Sequence, residues 1–432
     1  MINILIYILF LSIFVFDWLY ANYNIGVRIM TWIPEMVSSL VAFYILVSLA
    51  IYKKINVPFK YILLLLLYIL HIFMGLAIND VSFGPVMAGL RTYCKFIPLF
   101  LLPAFFNFDD DKMKKILLFI LGLACVQLPV VVWQRFFAFR AVLSGDPMGG
   151  TLGYHTSGLL SLFLISIISF LVAFYLQKKI STRFFVISLI LVFLPTTLNE
   201  TKITFVLLPL SFIFPLIFIK KQRKNVVIAL FVIVVFGGVA FTLKNVYDHF
   251  QMKRWGHGIS RFASDEEWID NYMATRIDPI FYAVNKALRG PQMIFGHGVG
   301  NVSISFSKAM TGKYHREAMM YDVGQVSITK LFWEIGIIGT LLFFLLVSTV
   351  FWDTLKLCRR SDFIGAFSLG MLTLITVFIL SFFYTMTIDL NLMVFLFFFL
   401  SGYTAFYRKW EDQSDSHSEK PNPPPLMESS TQ

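Results

Sequence analysis

"KYILLLLLYILHIFMGLAI", residues 60–78, holds a lysine at its first position and one histidine, His71, in an otherwise uncharged and almost wholly apolar run. A helix rising 1.5 Å per residue needs about 20 such residues to cross the roughly 30 Å hydrocarbon core of a bilayer, so this run predicts a membrane span. Eleven other stretches meet the same test, near 2–19, 32–52, 83–106, 114–138, 157–177, 183–199, 202–219, 225–243, 327–352, 363–385 and 389–407. Only "NETK" separates the seventh span from the eighth, so that pair also reads as a hairpin that re-enters.

The composition agrees. The 432 residues are 58% hydrophobic and 14% charged, with a mean hydropathy of +0.75. Soluble domains carry about 25% charged residues and roughly 45–50% apolar ones. The net charge of +11 is therefore no nucleic-acid footprint, since excess Lys and Arg in a membrane protein mark cytoplasmic loops. Cys94, Cys125 and Cys358 are scattered and point to neither a disulfide framework nor a metal site. The apolar N-terminus lacks a basic n-region and a small-residue cleavage site, and reads as a retained first helix.

Basic residues set the orientation. Lys53, Lys54 and Lys60 follow span 2, Lys112, Lys114 and Lys115 follow span 4, and Lys178, Lys179 and Arg183 follow span 6. "KKQRK" follows span 8, "KLCRR" follows span 10, and Arg408 and Lys409 follow span 12. Short odd-numbered connections carry little more than Arg28, Arg140 and Lys202, which predicts that both termini are cytoplasmic. The expected fold is thus all-α, a GT-C-like polytopic bundle of about twelve spans. Residues 1–243 hold spans 1–9, 244–326 form a large, partly helical extracytoplasmic loop, 327–407 hold the last three spans, and 408–432 are a disordered cytoplasmic tail. No internal repeat of the transporter kind is visible.

Ionisable groups inside spans are costly and are functional candidates by default. Here they gather in the outer half: Asp17, Glu35, His71, Arg91 and Lys95 four residues apart, Glu200 and Lys202, and Glu334, with Gln127 and Gln134 beside them. A solute pathway needs polar groups through the full depth, whereas a cavity open to one side needs this one-sided pattern. Structural pairing, such as Asp17 or Glu35 with Arg91, is the competing explanation.

In the outer loop, Ser264 and Glu267 form a capping box ahead of an amphipathic helix that Pro279 kinks and Gly290-Pro291 ends. His249, His257, His297 and His315 lie in it with Arg254, Arg261, Arg276, Arg289 and Arg316. Arginine at this density suits an anionic ligand, because its planar fork grips phosphate bidentately, and equally suits lipid head groups or the neighbouring Asp265, Glu266 and Asp270. "GHGVG", residues 296–300, reads either as a backbone nest for a phosphate or as a tight turn packed on the bundle.

The span count, the long loop between spans 9 and 10, "MIFGHGVGN" and "EIGIIG" (residues 334–339) together resemble the O-antigen polymerase and ligase superfamily. Weaker echoes lie in residues 89–103, 145–158 and 199–202. The ligases place a histidine eleven positions before a GxxG. Here Gly336 and Gly339 match the GxxG, but the histidine position holds Gln325, and Lys202 stands where the ligases have an arginine. Both departures favour a polymerase.

The resemblance implies a bacterial cytoplasmic-membrane glycosyltransferase that acts on undecaprenyl-diphosphate-linked glycans on the outer side. It implies no metal or other cofactor and no nucleic acid. Membrane lipids, a flippase and a chain-length regulator are the partners it suggests. Diphosphate contact falls to Arg276, Arg91, Lys202, Arg254, Arg261 and His297. The base or hydrogen-bond acceptor for the attacking hydroxyl is expected among Asp322, His315 and Glu200, in that order.

Overall fold

The computed structural model of the chain describes residues 2–23, 32–52, 57–106, 108–138, 147–154, 156–199, 201, 203–219, 278–305, 308–321 and 323–418. The expected ninth span at 225–243, the loop up to residue 277 with its capping box, and the tail beyond 418 lie outside the described residues.

Every regular element described is helical. In chain order they are α1 (Ile2–Tyr23), α2 (Ile33–Tyr52), α3 (Phe59–Ile78), α4 (Phe83–Cys94), α5 (Ile97–Phe105), α6 (Asp110–Trp133), α7 (Ser157–Leu176), α8 (Thr182–Leu198) and α9 (Thr204–Phe218). Short α10 (Asp278–Tyr282), α11 (Pro291–Phe295) and α12 (His315–Met320) then precede α13 (Ser327–Leu357), α14 (Phe363–Ser381) and α15 (Asn391–Ser418). Among the described residues, six helices are long and apolar enough to cross a membrane, and the α4–α5 pair makes a seventh if it is one broken span. Shorter apolar helices lie at Ile2–Phe16, Thr182–Leu198, Val206–Phe218 and Asn391–Tyr407. The chain is a helical membrane protein.

Packing shows why. On α3, Tyr61, Leu65, Tyr68, Ile72 and Gly75 face protein at helical spacing. Leu63, Leu66, Leu70 and Phe73 on the opposite side are equally apolar yet exposed. A soluble helix would put polar residues there, so the second apolar face is one made for lipid. Helices α7 and α14 differ, with 83% of each apolar window buried, and pack on each other at the centre of the bundle. In α7, Ser166 and Ser169 return the hydroxyl to their own backbone, donating to the carbonyls of Leu162 and Ile165.

Three departures from regular spans shape one end of the bundle. The stretch expected as a single span at 83–106 breaks by 45° between α4 and α5. Pro98 near the start of α5 has no N–H to continue the ladder, and the bend leaves the buried Lys95 at the joint. Within α13, Gly336 adopts φ 64° and ψ −170°, and a Cβ there would run into the Ile294 carbonyl. That kink lets α11 dock on α13, and His71 locks it by hydrogen bonding through Nε2 to the Ile335 carbonyl at 2.8 Å. Finally, the segment around residues 148–153 turns inside the protein rather than in a helix. Gln134 both donates to the Gly150 carbonyl (2.8 Å) and accepts from its N–H (2.9 Å), while Gln127 accepts from the Thr151 N–H (2.9 Å). The two glutamines expected as outer-end candidates thus satisfy irregular backbone at depth, which lipid cannot do.

Candidate active site

Among the described residues, the kinked end of α13 gathers most of the buried charge. Lys330, on its first turn, is 8% exposed along its side chain and donates to both carboxylate oxygens of Asp389 at 2.8 Å. Lys95 donates to the Asp389 backbone carbonyl (3.0 Å) and to Asn391 Oδ1 (2.9 Å), so α4, α13 and the turn before α15 are tied together. Arg91, one helical turn from Lys95, stacks over Trp32 at 4.6 Å and approaches Glu35 only to 3.9 Å. Glu334 is fully buried one turn beyond Lys330, and its Oε1 accepts from Ser303 Oγ at 2.7 Å. At the far end of α13, Asp353 pairs with Lys60 and accepts from the Tyr61 hydroxyl at 2.7 Å, and Tyr403 donates to Asp110 at 2.9 Å. Lys60 and Asp110 in these contacts lie in the first turns of their helices.

A cavity of about 470 Å³ opens above this cluster, within the usual size of small-ligand sites. Ser303, Gln325, Lys330 and Asp389 give it polar groups, and Val302, Ile304, Met319, Val323 and Met386 line the rest. The segment that walls it has a small core of its own, in which Ala283, Leu288, Val302, Ala318 and Val323 surround Trp333 with Tyr282, Tyr314 and Tyr321 packed outside.

The "GHGVG" turn lies beneath this wall with Gly296, Gly298 and Gly300 all at positive φ. A Cβ on Gly296 would fall 2.5 Å from Glu334 backbone, and one on Gly300 would strike the Pro85 carbonyl. The glycines are there so that loop backbone can touch α4 and α13 directly. Several of the loop's N–H groups are already used: Gly296 donates to Gln292, His297 to Trp333, and Gly300 approaches the Glu334 carboxylate.

Three of the expected site residues fall among those described. Arg91 belongs to the cation cluster. His315 begins α12 with Nδ1 2.7 Å from the Gly312 carbonyl; a carbonyl only accepts, so Nδ1 donates and Nε2 is the basic nitrogen. It lies one turn before Ala318 and Met319 on the cavity wall. His297 is 2% exposed, stacks on Tyr314 at 4.2 Å, and has no hydrogen-bond partner at either ring nitrogen. Burial pulls its pKa down to about 4, so it is neutral at pH 7 and adds no positive charge. Asp322, Glu200, Lys202, Arg254, Arg261 and Arg276 lie outside the described residues. Sequence reasoning did not single out Lys330 or Asp389. The four-residue spacing of Lys330 and Glu334 was the available signal, and nothing marked Asp389 as their neighbour.

Neither protein-family models nor curated proteins match this chain.

Proposed function

We propose that the protein is a bacterial cytoplasmic-membrane glycosyltransferase that polymerises undecaprenyl-diphosphate-linked repeat units into a surface polysaccharide. In this reading it has twelve spans, both termini are cytoplasmic, and the cavity faces outward on the side of the 244–326 loop. The observation that supports it most is the cavity itself, with a cation–carboxylate network on one wall and a loop-built apolar wall opposite. Breaking the bond between sugar C1 and the diphosphate oxygen leaves negative charge on the leaving group. Lys330, held by Asp389, stands on the cavity wall to meet that charge, with Arg91 and Lys95 behind it. The ligase alternative needs an imidazole where Gln325 meets the cavity, and an amide cannot take up a proton. Mass-spectrometric profiling of undecaprenyl-linked oligosaccharides with and without the gene tests the reading. Build-up of single-repeat carrier with loss of long chains is expected on deletion; long chains stranded on the carrier would mean a ligase.

A further inference from the structure

Resting on that reading, we infer that Glu334 receives the proton of the attacking sugar hydroxyl, with Ser303 passing it from the cavity. Glu334 is fully buried, and one of its oxygens, Oε1, accepts the Ser303 hydroxyl at 2.7 Å. The Gly300 N–H and the Tyr93 hydroxyl also approach the carboxylate, while Oε2 itself is buried and closes no hydrogen bond. Lys330 attracts the carboxylate along the same helix, but its ammonium hydrogen-bonds to both oxygens of Asp389 and not to Glu334. Pinning the loop through Ser303 and the Gly300 N–H needs acceptor oxygens but no charge, and a glutamine would serve with less loss of solvation.

Ser303 supplies the missing link, since it also lines the cavity. A serine hydroxyl has one proton and two lone pairs, and here the proton is spent on Glu334. Toward the cavity Ser303 can therefore only accept, so the ligand group it recognises must be a donor, as a sugar hydroxyl is. In the reaction the acceptor hydroxyl gives its proton to Ser303 Oγ while the Ser303 proton moves to Glu334 Oε1. The acceptor oxygen bonds to C1 as the C1–O bond to the diphosphate breaks, and the electron pair leaves with the diphosphate. The proton on Glu334 returns through Ser303 to the released diphosphate. Titratable groups that share this environment are Lys330 on the same helix, Tyr68 and His71 from α3, Tyr93 from α4, Asp389 ahead of α15 and His297 from the loop. Glu334 acts through Ser303 and is a positioning residue in this sense.

The test uses purified full-length protein and carrier-linked single repeats extracted from the deletion strain. Glu334→Gln keeps the shape and the acceptor for Ser303 but cannot take a proton. We expect kcat to fall about 100-fold with KM within about threefold, and a rise of rate with pH in the native protein that is absent from the variant. Ser303→Ala should lose as much, while Ser303→Thr should keep most activity. Native kcat and pH profile in a well-folded Glu334→Gln would reduce Glu334 to a pin and overturn the inference. If Glu334→Gln does not fold, unchanged kcat in Ser303→Ala overturns it equally. Failure of the native protein to turn over the extracted lipid would instead reject the glycosyltransferase reading.

Discussion

Lys330 and Asp389 make the tightest ion pair at the cavity, and their exposures decide what it contributes. Lys330 is nearly buried while Asp389 is about a third exposed, 8% and 35% for their side chains. Removing the lysine strands a carboxylate that water still reaches, so the cost is below that of a wholly buried pair, about 1–3 kcal/mol. Lys330→Met is expected to lower the thermal midpoint in detergent, read by loss of the monodisperse chromatographic peak, and Lys330→Met with Asp389→Leu to recover part of it. A second residue-scale prediction concerns His297. Its pKa falls from the usual 6.5 to about 4 on folding, so between those values the unfolded chain holds a proton that the folded chain does not. Stability is full above about pH 6.5 and is lost as pH falls toward about 4, at up to about 1.4 kcal/mol per pH unit. Comparing melting at pH 7 and pH 5, His297→Phe should lose less than the native protein; an equal loss would show that another group carries the dependence. His297 was legible in the sequence as a residue to watch but not as a neutral one, because its neutrality comes from Tyr314 and Trp333, which lie far along the chain.

At the scale of elements, apolar runs alone marked most helices, because a lipid-facing helix has no polar face to confuse its period. The breaks were harder to see. Pro98 signals the end of α4 only once the lysine at the joint is known to have partners in α15 and the turn before it. Gly336, matched from its motif, turned out to be a kink on which the loop docks. Adding a methyl group at its positive φ costs about 1–3 kcal/mol before the collision with Ile294 is counted. Gly336→Ala should therefore raise hydrogen exchange across residues 291–300 and lower the melting temperature. Gly122→Ala is the matched control: nothing lies within 4 Å of its new methyl group, and α6 should gain about 0.5–1 kcal/mol. If both variants melt alike, the kink is not what holds the loop.

For the whole molecule, the arrangement of charge ties fold to topology. The described contacts put Lys95, Lys330 and Glu334 at one end of α13 and the Asp353 group at the other. The positive-inside reading makes the first end outward and the second cytoplasmic, so it also fixes where exposed loop residues must be reached from. Lys313, in the cavity-bearing loop, and Lys179, after α7, are both exposed and fall on opposite sides in that reading. With Cys94, Cys125 and Cys358 replaced by alanine, a single cysteine at Lys313 should react with an impermeant maleimide added to intact cells whose outer layers admit it. A cysteine at Lys179 should react only after lysis. The reverse pattern would turn the cavity toward the cytoplasm, where substrates carried by undecaprenyl diphosphate on the outer leaflet cannot reach Lys330, and the polymerase reading would fall with it. Labelling of both positions before lysis would instead mean that the two ends of α13 share one side, which a helix crossing the bilayer does not allow.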